Sequence, residues 1–240
     1  MQSAKLHLVF VRHGETECNK QCMCYGSRID APLNENGLRQ AECVAERLAK
    51  ELPKDRVHSV CSSELSRAAV TADVIYAALV KRDGAGVKRV RDKGLNELCF
   101  GNFEGRHLKT ECAGLYEMVE KWDSGDLDYT TEEAERPSAG LARAREALGR
   151  IMESAVAAGA AGGAAPTVVV VAHYRILRIL IGHILGESMR TVVLANTALY
   201  KIDWLGGEEF VAVLRNCAEH VKGNVLPVGF RYNEDAAAHK

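Results

Sequence analysis

A chain of 240 residues, 47% apolar and 26% charged with a formal net charge of −1, has the composition of an ordinary globular protein with an ample core. The balanced charge argues against a general nucleic-acid binder, and no stretch approaches the roughly 20 consecutive apolar residues that cross a bilayer. The first apolar run begins almost at the N-terminus and leaves no room for a signal or transit peptide, so a cytoplasmic protein whose eight cysteines stay reduced is expected.

Leu6 to Val11 is a short apolar run that reads as a buried strand. It delivers Arg12 and His13 to a turn, where Gly14 would let the backbone approach a ligand closely. A neutral imidazole beside a guanidinium suits phosphoryl chemistry, since one attacks phosphorus while the other neutralises its oxygens. Taken alone, an Arg-His pair at a strand end carries little weight, because exposed basic residues need no explanation. Cys18, Cys22 and Cys24 follow as a close group, but their spacing matches no standard zinc pattern, and no metal is expected. Cys43, Cys61 and Cys99 fall in or beside core elements, as small hydrophobes do.

Asp30 to Asn34 reads as a turn leading to a helix cap. Leu38, Ala41, Val44, Ala45 and Leu48 then recur at helical spacing up to Pro53. Val57 to Cys61 is a second strand, and Ser62 and Ser63 are candidate N-caps for a helix carrying Leu65, Ala68, Ala72, Ile75 and Leu79. Arg67 falls in the first turn of that helix, where backbone N–H groups already favour an anion, although taken alone an arginine there reads as a solvated side chain. Val87 to Val90 is a third strand, leading to a glycine-bracketed loop, Leu95 to Gly105, with Glu97 near its start.

Residues 106 to 137 are mixed and polar around a helix with Leu115, Met118, Val119 and Trp122, a segment suited to a lid or to substrate selection. Leu141, Leu148, Ile151 and Met152 mark another amphipathic helix, with Arg143, Glu146 and Arg150 expected to face solvent. The Ala- and Gly-rich stretch 155–165 reads as a frayed helix end and a loop. Thr167 to Ala172 is the most continuous β-branched run and fits a central parallel strand buried on both faces. It ends at His173 and continues into a helix. The chain thus twice makes strand then histidine, and at the C-terminal ends of neighbouring strands His13 and His173 would face each other. Val192 to Leu194, Ala198 to Trp204 and Phe210 to Leu214 are further strands, the last two joined through Gly206-Gly207. A single domain over residues 1–232 and a loosely ordered tail over 233–240 are expected.

Four blocks now stand in order: R-H-G-E-T at 12–16, S-S-E-L-S-R-A-A-V-T-A at 62–72, N-E-L-C-F-G-N-F-E-G at 96–105 and V-V-A-H at 170–173. Together they resemble the histidine phosphatase superfamily, also called phosphoglycerate-mutase-like, over about residues 5 to 215. Asn19, and Asn196-Thr197-Ala198, match further positions of that pattern. The resemblance implies an α/β three-layer sandwich with a mostly parallel central sheet. It also implies that His13 attacks phosphorus and becomes a phosphohistidine. Arg12, Arg67 and His173 would hold the non-bridging oxygens, assisted by Asn19 and backbone N–H groups near Gly14, and Glu97 would protonate the leaving oxygen and then take a proton from water. No cofactor or metal is implied, because the cationic side chains take that place. Two arginines should depress the pKa of His13, which together with a protonated Glu97 suggests a mildly acidic to near-neutral optimum.

One position departs from the pattern. The family usually has glycine after the second histidine, where this chain has Tyr174 and then Arg175. Tyr174 could narrow the crevice, stack on a substrate ring, bond a phosphate or point away, and it would be strained if the position required a positive φ. The 96–105 block resembles the phosphatase branch, and segment 106–137 is short for the insertion of a mutase. A phosphomonoesterase acting on a small phosphorylated metabolite, a sugar phosphate or bisphosphate, is therefore expected. The alternatives are a cofactor-primed phosphoglycerate mutase and a non-catalytic phosphate-binding scaffold. Oligomeric state is left open.

Overall fold

The computed structural model describes residues 4–131, 133–159 and 164–221. Six strands form one sheet in the order β3-β2-β4-β1-β5-β6. They are β1 (Leu6–Arg12), β2 (Val57–Ser62), β3 (Lys88–Arg91), β4 (Thr167–Ala172), β5 (Leu199–Gly206) and β6 (Glu209–Cys217). The first four are mutually parallel, and β5 and β6 run antiparallel to β1 as a hairpin. Gly206 and Gly207 both take positive φ at its turn, as a tight hairpin requires.

The helices are α1 (Glu17–Lys20), α2 (Glu35–Glu51), α3 (Ser66–Asp83), α4 (Leu108–Glu111), α5 (Ala113–Asp123), α6 (Pro137–Gly159) and α7 (Tyr174–Leu185). Strand alternation divides the core between them. On β1, Val9 and Val11 pack with Val44, Leu48, Ala68 and Ile75 of α2 and α3. Leu6, Leu8 and Phe10 face the other way, toward Trp122, Leu148 and Leu177 of α5, α6 and α7. Every residue of β4 is buried, as a central parallel strand covered on both faces should be. The result is a three-layer α/β sandwich. Among the described residues no helix is long and apolar enough to cross a membrane.

Four local expectations are corrected. Val192 to Leu194 is no strand: the segment runs without ladder pairing, and its carbonyls accept from arginines instead, Val192 from Arg178 Nε at 2.8 Å and Leu194 from Arg12 Nη1 at 3.0 Å. Neither Ser62 nor Ser63 caps α3. Ser62 ends β2 and the N-cap position is Leu65; the exposed N–H of Ser66 is met by Asp30 Oδ1 at 2.8 Å from across the chain. Arg143 turns inward rather than to solvent, donating to the carbonyls of Gly94, Asn96 and Glu97 and forking onto Glu135. Arg150 does reach outward, to Asp92. Helix α6 continues through Gly159 with Ala155 fully buried, so the Ala-Gly stretch is firm helix over its first part. Residues 160–163 and the expected tail 233–240 lie outside the described residues.

Candidate active site

The sheet topology places the two histidines side by side. β1 and β4 are parallel neighbours with Arg12 opposite Ala172, so each strand ends one residue before its histidine, and His13 N–H donates to the Ala172 carbonyl at 3.0 Å. The two rings lie 5.2 Å apart between centroids, both buried. Next to β4, β2 leads into α3 and brings Arg67 beneath them. This is the crevice at the carboxyl ends of the strands of an open α/β sheet.

Hydrogen bonds fix the tautomer of each ring. His13 Nδ1 lies 2.7 Å from the Gly14 carbonyl, an acceptor only, so Nδ1 carries the proton and the Nε2 lone pair is available for attack. Arg67 Nε, a donor only, lies 3.1 Å from His173 Nδ1. The proton of His173 is therefore on Nε2, which is buried and has no partner. One ring presents a nucleophile and the other a donor.

Arg67 is fully buried and also donates to the carbonyls of Gly26 at 2.9 Å and Ile29 at 3.2 Å. Three of its five N–H groups are thereby engaged and two remain. Arg12 gives one N–H to Leu194, while its buried Nε meets no acceptor. Burial pushes both guanidinium pKa values down, and Arg67 lowers that of Arg12 further. Three carboxylates act on them: Asp30, 3.8 Å from Arg67 and already holding α3, Glu97 on both, and, most weakly, Glu104 on Arg67. Two desolvated cations with donors to give and little counter-charge form an anion site.

Glu97 is buried, and its carboxylate accepts three backbone N–H bonds: Leu98 and Ile176 on Oε1 at 2.9 and 3.0 Å, Arg175 on Oε2 at 2.9 Å. The first turn of α7 is thus capped by Glu97 from another segment, which orients the carboxyl beside His173. Arg143 braces the same loop through its carbonyls.

Gly14 plays a different part from the one expected. Its N–H donates to Thr71 Oγ1, that of Glu15 to Gln40, and that of Thr16 to Asn19, so these amides are already engaged. A Cβ at Gly14 would stand 2.4 Å from the Gly37 carbonyl, and the close approach is to α2 rather than to a ligand. Asn19 uses Oδ1 to close a capping box with Thr16 and to accept from Asn196. Asn196 in turn donates to the His13 carbonyl at 3.0 Å. Tyr174 does not take a positive φ, so no strain arises; its ring lies over Arg12, with the guanidinium carbon 5.0 Å from the centroid.

A family model for the histidine phosphatase superfamily (branch 1) matches residues 8–217. The chain belongs to that superfamily. Among curated relatives, the probable phosphoglycerate mutase GpmB of Yersinia pestis is 30% identical over 83% of this chain and 85% of its own. The fructose-2,6-bisphosphatase TIGAR of Xenopus tropicalis is 34% identical over 60% of this chain, a match spanning 48% of that protein. Among solved structures, a mycobacterial glucosyl-3-phosphoglycerate phosphatase superposes with a TM-score of 0.72 at 24% identity, covering 88% of this chain and 99% of that one.

Within this histidine phosphatase fold, the structure brings together His13, Arg12, Arg67, Glu97, His173 and Asn19. One site residue escaped the sequence reading. Tyr25 is stacked on Arg67 at 4.7 Å, lies edge-on to His13 at 6.4 Å, and accepts from Thr16 Oγ1 at 2.9 Å. Its only signal was an aromatic before Gly26 in an otherwise polar stretch.

Burial, with the charges of Arg67 and Arg12 behind it, drives His13 well below its ordinary pKa of 6.5, and the same forces act on His173. The direction is the one expected for His13, although burial outweighs the arginines. Both rings stay neutral in the fold while free imidazoles would protonate below about pH 6.5. Stability from this source is therefore complete above pH 6.5 and is lost as the pH falls. The loss is about 1 kcal/mol per histidine between pH 6.5 and 5.5. Thermal unfolding should show Tm falling across that interval, and His173→Gln should flatten the fall; an unchanged slope in the variant would refute the assignment.

Proposed function

We propose that the protein hydrolyses phosphate monoesters of small metabolites through a phosphohistidine on His13. The observation that supports this reading is the pairing of two neutral histidines of opposite tautomer with two buried, under-neutralised guanidiniums. In the first step the His13 Nε2 lone pair forms an N–P bond as the bond from phosphorus to the ester oxygen breaks. The Glu97 carboxyl gives its proton to that leaving oxygen. In the second step water attacks phosphorus, its proton passes to Glu97, the N–P bond breaks, and inorganic phosphate leaves. Arg12, Arg67, Asn19 and the Nε2–H of His173 would hold the equatorial oxygens throughout, where charge spreads in the transition state.

The relative named as a bisphosphatase and the fold neighbour named as a phosphatase support hydrolysis. The relative named as a probable mutase keeps transfer to a second phosphoglycerate as the other reading of the same phosphohistidine. Phosphate release should be measured on sugar phosphates, phosphoglycerates, nucleotides, a phosphotyrosine peptide and an aryl phosphate, with and without a chelator. Release from small metabolites that a chelator leaves unchanged is the expected result. Isomerisation of phosphoglycerate without release would favour the mutase, and silence in both assays with phosphate still bound would favour a scaffold.

A further inference from the structure

Arg175 is a cation without a counter-charge. Its Nη1 is shielded from solvent and meets no acceptor, and no carboxylate pairs with it among the described residues. Its guanidinium carbon lies 5.4 Å from the centroid of Tyr174, on a ring that also carries Arg12 at 5.0 Å and Arg178 at 5.3 Å. The other two differ from it. Arg178 donates to the carbonyls of Met189 and Val192 and lies 3.5 Å from Asp123, and Arg12 belongs to the phosphate site. A guanidinium drawn partly out of water without an anion is costly, and it is found where an anion is to be received.

The position says which anion. The backbone N–H of Arg175 is 2.9 Å from Glu97 Oε2, the group that protonates the leaving oxygen, so the residue starts on the leaving-group side of the site. Its guanidinium shares the Tyr174 ring with that of Arg12, which sets it beside the phosphate site. A transferring phosphate dianion neutralises Arg12 and Arg67 and leaves the third cation unmatched. We infer that Arg175 receives a second anionic group, a carboxylate or another phosphate, carried by the leaving group. Phosphate monoesters with two anionic ends are then preferred over those with one. This rests on the hydrolase reading for its kinetic test, but not for its binding test.

The test compares 3-phosphoglycerate and glycerol 1,3-bisphosphate with glycerol 3-phosphate, which lacks the second anion. Arg175→Gln should lower the kcat/KM ratio of a doubly anionic substrate to glycerol 3-phosphate by about 10- to 100-fold, mainly through KM, and Arg175→Lys should restore much of it. A loss for only one of the two doubly anionic substrates tells carboxylate from phosphate. A ratio unchanged within about twofold, whether or not both rates fall, overturns the inference. If no substrate is turned over, the hydrolase reading fails by itself. Calorimetric Kd values of 3-phosphoglycerate, glycerol 1,3-bisphosphate and glycerol 3-phosphate on the wild type and Arg175→Gln then decide the matter, with the same change in ratio expected for at least one doubly anionic ligand and an unchanged ratio for both fatal.

Discussion

His13→Ala should abolish phosphate release, by about 10⁴-fold or more, while leaving the fold intact. Loss of a nucleophile removes the covalent route altogether and leaves only what binding and electrostatics can achieve. The side chain makes one hydrogen bond, to the carbonyl of its own neighbour Gly14, so its removal opens a small polar gap without stranding a distant partner. Phosphate affinity should survive, because Arg12, Arg67 and His173 keep their donors. The decisive companion is a rapid quench of the wild type under alkaline conditions, where a phosphoramidate persists, followed by mass analysis of the peptide that contains His13. A phosphate on that histidine, absent in the variant, is expected. Turnover by His13→Ala within about tenfold of wild type would mean that water attacks directly and that His13 only positions the phosphate.

The layers of the fold were legible because strand periods and β-branched runs report burial directly. β1 and β4 could be read from Leu6–Val11 and Thr167–Ala172, and the histidine after each followed from the rule that ligands gather at the carboxyl ends of parallel strands. What could not be read was which distant group satisfies a backbone amide or carbonyl. The sequence offers Ser62 and Ser63 as caps for α3, but the cap comes from Asp30, 36 residues away from Ser66. Val192 and Leu194 are apolar and buried like strand residues, yet their carbonyls face arginines. Arg143 looks like a solvent-side helix residue until its five bonds to the Glu97 loop and Glu135 are seen. Gly14 could be recognised as a close approach, but not what it approaches. In each case local chemistry is compatible with two partners, and only the tertiary fold selects one.

Arg67→Lys should be the most damaging conservative change in the protein, costing both activity and stability. Arg67 joins four things at once: His173 Nδ1, the carbonyls of Gly26 and Ile29, and the ring of Tyr25. A lysine keeps the charge but is a point donor on a flexible stem, and it cannot span that fork. With the residue fully buried, the abandoned Gly26 carbonyl and His173 Nδ1 have no water to turn to, so a stability loss of about 2–4 kcal/mol is expected. His173 would then be free to place its proton on either nitrogen, and its Nε2 would no longer be held as a donor. With the two unengaged guanidinium N–H groups also lost to an incoming phosphate, kcat should fall by about 10²- to 10³-fold. The coupling can be isolated in a double-mutant cycle with His173→Gln, whose amide N–H can also donate to phosphate. If Arg67 acts partly through the tautomer of His173, the effect of Arg67→Lys on kcat should shrink severalfold in the His173→Gln background. Strictly additive effects would show that Arg67 acts on phosphate alone, and the histidine tautomer would have to be held by something else.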